Sequence, residues 1–159
     1  NETEVVMPGT NAKMNEVQAL MGIEVFKHLG TIIDARKSLY CLYRKRLEEI
    51  PGVLLTPELP NDTKYNYSFM PIEIEEQFFG MSRDALYQEL KLWNVHTRRY
   101  FYPLVSDYPC YRSLPVKDSL SCARKVADRI ITLPIYDSLE FKDADKICDI
   151  IASIQRKQL

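Results

Sequence analysis

The sequence is poor in the residues that build metal sites and disulfide frameworks. Its 159 residues include four cysteines and two histidines. The cysteines form no Cys-x-x-Cys pair, and with two histidines they do not reproduce the spacing of a zinc site. We therefore expect no metal centre, and we expect free thiols that are mostly buried.

A charge excess and long hydrophobic runs are also lacking. The 21 basic and 22 acidic side chains leave a formal net charge of -1, which gives no preference for nucleic acid. No run of 18 apolar residues occurs, and the polar start Asn1-Glu2-Thr3-Glu4 is not typical of a signal or transit peptide. We therefore expect a cytoplasmic protein that binds neither nucleic acid nor membranes.

Apolar residues are plentiful, and their spacing predicts a long helical segment at the start. They make up 46% of the chain, enough for one domain with a core. Between residues 17 and 50 they recur every three or four positions, as on a helix. One helix over residues 14–49 would be roughly 54 Å long, against about 40 Å for a compact domain of this size. Either the helix projects onto another subunit, or it breaks near Gly30, with Gly30 ending one helix and Thr31 capping the next.

Strand signals begin only after Pro51-Gly52. Pro71 favours an edge or a bulge for the second predicted strand, and Ser82 is a predicted N-cap. The fold class is therefore α+β, with a helical segment over residues 1–50 and a small, mainly antiparallel sheet covered by helices over residues 51–159. The predicted strands are 53–55, 65–74, 95–99 and 130–133, and the predicted helices are 82–93, 119–128 and 142–157.

Two motifs could carry chemistry. In Gly9-Thr10-Asn11-Ala12-Lys13-Met14, the amide of Asn11 could cap the following helix or donate a hydrogen bond to a phosphate. In Arg98-Arg99-Tyr100-Phe101-Tyr102-Pro103, cations and aromatic rings alternate at the end of a predicted strand, which suits a nucleotide diphosphate and a sugar.

The second motif has a structural alternative. Neighbouring side chains of a strand point to opposite faces, so Arg98 and Tyr100 are expected to share one side. An arginine of this motif could instead pair with Glu73 or Glu75 across the sheet.

Together with Leu133-Pro134-Ile135-Tyr136, these motifs resemble the C-terminal part of a pyridoxal-phosphate-dependent sugar-nucleotide aminotransferase of the fold type I superfamily. The resemblance covers about residues 8–154. It implies a homodimeric, cytoplasmic enzyme that transfers an amino group from glutamate to a keto-sugar linked to a nucleotide diphosphate. Amino sugars of this kind enter lipopolysaccharide and other polysaccharides.

The resemblance also implies roles for individual residues. Asn11 would approach the pyridoxal 5'-phosphate group of the neighbouring subunit. The sugar nucleotide would contact Arg98, Tyr100, Phe101 and Tyr102, with Arg98 and Tyr100 preferred over Arg99. The family's cofactor-carrying lysine follows a serine by five positions, and no serine here has a lysine at that distance. We therefore expect an inactive fragment without catalytic residues and without the large cofactor domain.

Two other functions stay open on the sequence alone. The chain could be a non-catalytic α+β interaction domain whose aromatic loop binds a protein, or a ligand-sensing domain of a regulator. A serine-to-lysine motif in the upstream reading frame would favour the enzyme.

Overall fold

A computed structural model of the chain describes residues 9, 13–58, 60, 62–115 and 118–158. Its helices and strands form the predicted α+β fold. The helices are α1 (Glu16–Phe26), α2 (Leu29–Leu47), α3 (Glu76–Phe79), α4 (Arg83–Leu92), α5 (Ser121–Arg129) and α6 (Phe141–Arg156), and the strands are β1 (Val53–Leu55), β2 (Met70–Ile74) and β3 (Ile130–Leu133).

The long helical segment breaks between α1 and α2. The predicted break near Gly30 is confirmed, but the caps are different: Lys27 ends α1 and His28 precedes α2. Lys27 keeps right-handed helical dihedrals, so the chain leaves α1 without a left-handed residue. A glycine has no advantage at such a break, and Gly30 and Thr31 lie inside the first turn of α2.

The sheet has the order β1-β2-β3, and both pairs are antiparallel. The prediction that Pro71 favours an edge strand or a bulge was wrong, because Pro71 lies in the central strand opposite Thr132. Pairing with β1 covers only Ile72–Ile74, so β1 ends before it reaches Pro71. Thr132 exchanges its backbone hydrogen bonds with Arg98, at 3.1 and 2.7 Å. Neither neighbouring strand therefore needs the N–H that proline lacks.

Two predicted strands are shorter than expected. Of residues 65–74, only Met70–Ile74 form a strand. Of residues 95–99, only Arg98 pairs with the sheet, through an isolated bridge to Thr132. Arg98 thus holds the start of residues 98–103 beside β3.

The core lies between the sheet and the helices α2, α4 and α6. Cross-strand pairs such as Met70 with Leu133 and Ile72 with Ile131 place buried side chains on one face of the sheet. The hydroxyl of Tyr43 is satisfied inside this core, because it donates to the carbonyl of Pro134 at 3.0 Å. The fully buried large side chains are Tyr43, Phe79, Leu39, Leu47, Met70, Ile72, Ile74, Leu86, Leu90, Ile131, Leu133 and Ile151.

Helix α1 contributes nothing to this core. None of its residues is buried, and its apolar side chains lie on all sides of the helix. A helix that is apolar all round normally has cover on all sides. The exposed apolar residues of this region are Met14, Val17, Leu20, Met21, Ile23, Val25, Phe26 and Leu29. No helix in the described part of the chain is long and apolar enough to cross a membrane.

The cysteines are less buried than predicted. Cys148 lies in the core, Cys110 is half-buried, and Cys41 and Cys122 are exposed. The expectation of mostly buried thiols was wrong because the last two project from the solvent-facing sides of α2 and α5.

Candidate functional site

The first motif is only partly described. Asn11 lies outside the described residues, so its contact with a phosphate stays a prediction. The N-cap of α1 is Asn15: its Oδ1 accepts from the backbone N–H of Gln18 at 2.9 Å, and Gln18 Oε1 accepts from the N–H of Asn15 at 3.0 Å. The capping role that competed with phosphate binding is therefore filled by Asn15.

The second motif forms a turn instead of a strand end. The backbone N–H of Tyr102 donates to the carbonyl of Arg99 at 2.7 Å, and the chain reverses over Tyr100 and Phe101. Because strand alternation does not apply in a turn, the two rings lie on the same side. They stack with centroids 4.9 Å apart and 17° between their planes.

Phe69 completes an exposed aromatic cluster. Its ring meets those of Tyr100 and Phe101 edge-on, at 5.7 and 6.3 Å. Phe101 is 69% exposed and Phe69 is 40% exposed. We call Phe69, Tyr100 and Phe101 the aromatic platform. Flat, exposed rings of this kind can stack on a nucleobase or on the apolar face of a sugar.

Arg98 stands at the entrance to this turn. Its backbone pairs with Thr132 of β3, and its side chain is exposed. A different arginine contacts the acidic residue at the end of β2, since Arg129 Nη1 lies 3.5 Å from Oε1 of Glu75. An exposed arginine that comes just before stacked aromatic residues in the chain is suited to a phosphate that carries a base.

Arg99 and Tyr102 of the motif pack on α4. The guanidinium carbons of Arg83 and Arg99 lie 4.7 and 5.2 Å from the centroid of the Tyr102 ring. Arg99 also lies 4.9 Å from the centroid of Tyr87, and Lys91 Nζ lies 4.3 Å from the same ring. These five residues alternate positive charge and aromatic rings, and we call them the cation–aromatic ladder.

Asp84 supplies the negative charge of the ladder. Its Oδ1 lies 2.9 Å from Nε of Arg83 and 2.9 Å from Nη1 of Arg99. The Arg83 side chain is buried and donates through Nη1 to the carbonyls of Ala127 at 3.0 Å and Ile130 at 2.7 Å. Burial lowers the pKa of Arg83, but a guanidinium stays protonated in proteins. The ladder is therefore positively charged and partly buried, and the Asp84 carboxylate pairs with two of its three cations.

Sequence reasoning missed the α4 half of the ladder. Arg83, Tyr87 and Lys91 are spaced by four, so they share one face of a helix whose start is set by the predicted cap Ser82. That spacing was the available signal. The ranking of Arg99 below Arg98 for substrate binding stays a prediction.

An open cleft of about 720 Å³ lies beside the ladder. Its cations have different partners: Arg99 pairs with the carboxylate of Asp84, whereas Arg112 Nε donates to the backbone carbonyl of Asp107 at 2.8 Å. With carboxylates also in its wall, the cleft has no evident excess of positive charge for a diphosphate. Its lining residues are Arg99, Tyr102, Pro103, Asp107, Pro109, Arg112 and Asp128.

The described residues do not form a complete cofactor site. Every lysine among them is exposed, whereas a lysine that reacts with a carbonyl cofactor is normally activated by burial or by a neighbouring cation. Within the same residues, no cluster of three or more His, Cys, Asp or Glu could hold a metal ion.

The chain matches known proteins along nearly its whole length. A protein of Escherichia coli named dTDP-4-amino-4,6-dideoxy-D-glucose transaminase is 41% identical over 153 residues, which are 95% of this chain and 41% of that protein. A protein of the same name from Shigella dysenteriae is 32% identical over 98% of this chain and 42% of that protein.

Solved structures share the fold. The crystal structure of DesI in the presence of its TDP-sugar product superposes with a TM-score of 0.84 at 30% identity, over 94% of this chain and 38% of that one. The chain thus spans about two fifths of the length of these relatives. The DegT/DnrJ/EryC1/StrS aminotransferase family model matches residues 1–152. The chain therefore belongs to the DegT/DnrJ/EryC1/StrS aminotransferase family.

Proposed function

We propose that the chain is the C-terminal part of an aminotransferase that moves an amino group from glutamate to carbon 4 of a dTDP-linked keto-sugar. The observation that carries the proposal is the 41% identity to a protein named dTDP-4-amino-4,6-dideoxy-D-glucose transaminase. The parent enzyme would be a cytoplasmic homodimer, and its amino sugar would enter lipopolysaccharide or another polysaccharide.

Residues 1–50 would connect this part to the rest of the enzyme, and residues 51–159 would form its small domain. The burial pattern supports this division. Helix α1 has no buried residue, whereas α2 is buried at Leu39, Tyr43 and Leu47, where it packs on β1 and α6. The large cofactor domain and the partner subunit would cover the exposed apolar side chains of α1.

Aminotransferases of this family depend on pyridoxal phosphate, which when bound serves as an electron sink. We assign its lysine to the part of the enzyme outside this chain. From this chain, Asn11 would donate an amide hydrogen bond to the phosphate of the neighbouring subunit. The identification of Asn15 as the cap of α1 supports that role, because Asn11 is not required as the cap.

The sugar nucleotide would lie against Arg98 and the aromatic platform. Arg98 would hold diphosphate oxygens with a bidentate fork, and Tyr100 and Phe101 would stack on the base or the sugar. Tyr102 would act on the same substrate indirectly, through the cation–aromatic ladder.

The experiment uses the full-length enzyme, with initial rates measured while each substrate is varied. Arg98→Lys keeps the charge but loses the planar fork, so the KM for the sugar nucleotide should rise about tenfold, with the KM for glutamate unchanged. Arg112→Lys is the matched control and should leave both values within about twofold. Equal changes in the two KM values for Arg98→Lys would overturn the substrate assignment.

A further inference from the structure

We infer that the cation–aromatic ladder positions the aromatic platform, so that Arg99 and Tyr102 are positioning residues for the sugar nucleotide. The functional half of this inference rests on the proposed function, because it takes the platform as the surface that meets the substrate. The structural half rests on the geometry alone.

The turn itself links the ladder to the platform. Arg99 and Tyr102 belong to the ladder, and their backbones are joined by the 2.7 Å hydrogen bond from Tyr102 N–H to the Arg99 carbonyl. Tyr100 and Phe101 are the two residues between them. Any shift of Arg99 or Tyr102 on α4 therefore moves both stacked rings.

The ladder is anchored at its buried end. Arg83 donates to the carbonyls of Ala127 and Ile130, where α5 passes into β3. A buried guanidinium is costly unless its donors are satisfied, so these bonds restrict where it can lie. The Tyr102 ring over Arg83 is thereby tied to the same junction.

The platform has little support of its own. Phe101 is 69% exposed and Phe69 is 40% exposed, so burial holds only part of these rings. Stacked and edge-on aromatic pairs contribute modestly on a solvent-exposed surface. The contacts of Arg99 with Asp84 and Tyr87 hold the turn against helix α4. Removal of the ladder should therefore loosen the platform before it unfolds the domain.

Hydrogen exchange in the 159-residue chain tests the structural half. Arg99→Ala should speed exchange about tenfold at the Tyr102 amide, which donates to the Arg99 carbonyl, because one partly desolvated cation–π contact is lost. Arg99→Lys keeps a cation near Asp84 and should recover part of the protection. Arg112→Ala is the control, and α6 amides report global unfolding. If the Tyr102 amide exchanges no faster in Arg99→Ala than in Arg112→Ala, the inference is wrong.

Kinetics of the full-length enzyme test the functional half. Arg99→Ala should raise the KM for the sugar nucleotide about tenfold, leave the KM for glutamate unchanged, and be partly rescued by Arg99→Lys. Tyr102→Leu removes the ring that lies over Arg83 and Arg99 and should behave as Arg99→Ala. If Arg99→Ala speeds amide exchange but leaves the KM for the sugar nucleotide unchanged, the platform does not bind the substrate. The ladder then only stabilises the turn. If Arg99→Ala leaves amide exchange unchanged, the ladder does not position the platform, whatever the KM values are.

Discussion

Helices α1 and α6 both contain many apolar residues, yet α1 has no buried residue and α6 forms part of the core. In α6 the buried residues recur every three or four positions and make one face, which packs on α2 and α4. In α1 the apolar residues lie all round the helix. The comparison teaches that the arrangement of apolar residues, more than their number, indicates whether a helix is covered by its own chain.

The two helices should therefore differ in how they respond to mutation. A helix held by the core belongs to the global folding unit, whereas a helix without buried side chains opens locally. Each of the following predictions compares two residues that lie in different surroundings.

The largest difference is expected between two isoleucines. Ile151 of α6 is fully buried, and Ile23 of α1 is 59% exposed. Ile151→Ala leaves a cavity and should lower the free energy of unfolding by about 2–5 kcal/mol, whereas Ile23→Ala should change it by about 0.5 kcal/mol or less. Urea unfolding of the two variants measures both values. Similar losses would mean that α1 belongs to the same folding unit as α6.

The next effect concerns association. We expect the chain to self-associate through α1, because its exposed apolar side chains need cover. Phe26 is 71% exposed, and Phe26→Lys should weaken association at least about tenfold. Light scattering at several concentrations measures it. Leu114→Lys, at a residue 58% exposed in the loop before α5, is the control. A wild-type chain that stays monomeric at every concentration would contradict this role of α1.

The core should also be sensitive to alkaline pH. Burial raises the pKa of the Cys148 thiol to about 12, and burial likewise raises the pKa of the Tyr43 hydroxyl. A folded state that holds a proton more tightly than the unfolded state loses stability as pH rises. The contribution of Cys148 is complete below its unfolded pKa, about 8.5, and is lost up to about pH 12 at about 1.4 kcal/mol per pH unit.

Urea unfolding at pH 8, 9 and 10 measures this loss. Cys148→Ala should remove the part of the slope that belongs to the thiol, at the cost of some stability at pH 8. Cys122→Ala is the control, because Cys122 is exposed. An unchanged slope in Cys148→Ala would exclude the thiol as its source.

The smallest effects are expected at two helix caps. Ser82 Oγ accepts from the backbone N–H of Ala85 at 3.2 Å, at the start of a helix that packs in the core. Ser82→Ala should lower the free energy of unfolding by about 1 kcal/mol. Asn15→Ala removes a similar bond from α1 and should speed amide exchange in α1 with almost no change in global unfolding. Equal losses of unfolding free energy in Ser82→Ala and Asn15→Ala would mean that α1 belongs to the same folding unit as the core.

Elements with strong local signals were predicted well. Strands β1 and β3 were predicted with their observed bounds, and Ser82 caps α4 as expected. Each is specified by neighbours in sequence, such as an apolar run between turn residues or a capping hydroxyl. Predictions about Pro71 and about the two faces of residues 98–101 were wrong. They depended on where β1 ends and on a turn closed between Arg99 and Tyr102, which local patterns do not reveal.

The sequence by itself determined the fold class, the position of the aromatic motif and the resemblance to the sugar aminotransferases, because these depend on residue types and their spacing. Only the tertiary structure decided which residues of that motif face outward. Arg99 and Tyr102 pack on Arg83 and Tyr87 of α4, while Phe101 is exposed and Tyr100 is half-buried beneath it in the stack. These contacts join residues far apart in the chain, and their energies depend on distances and burial that exist only once the helix, the strand and the turn have come together.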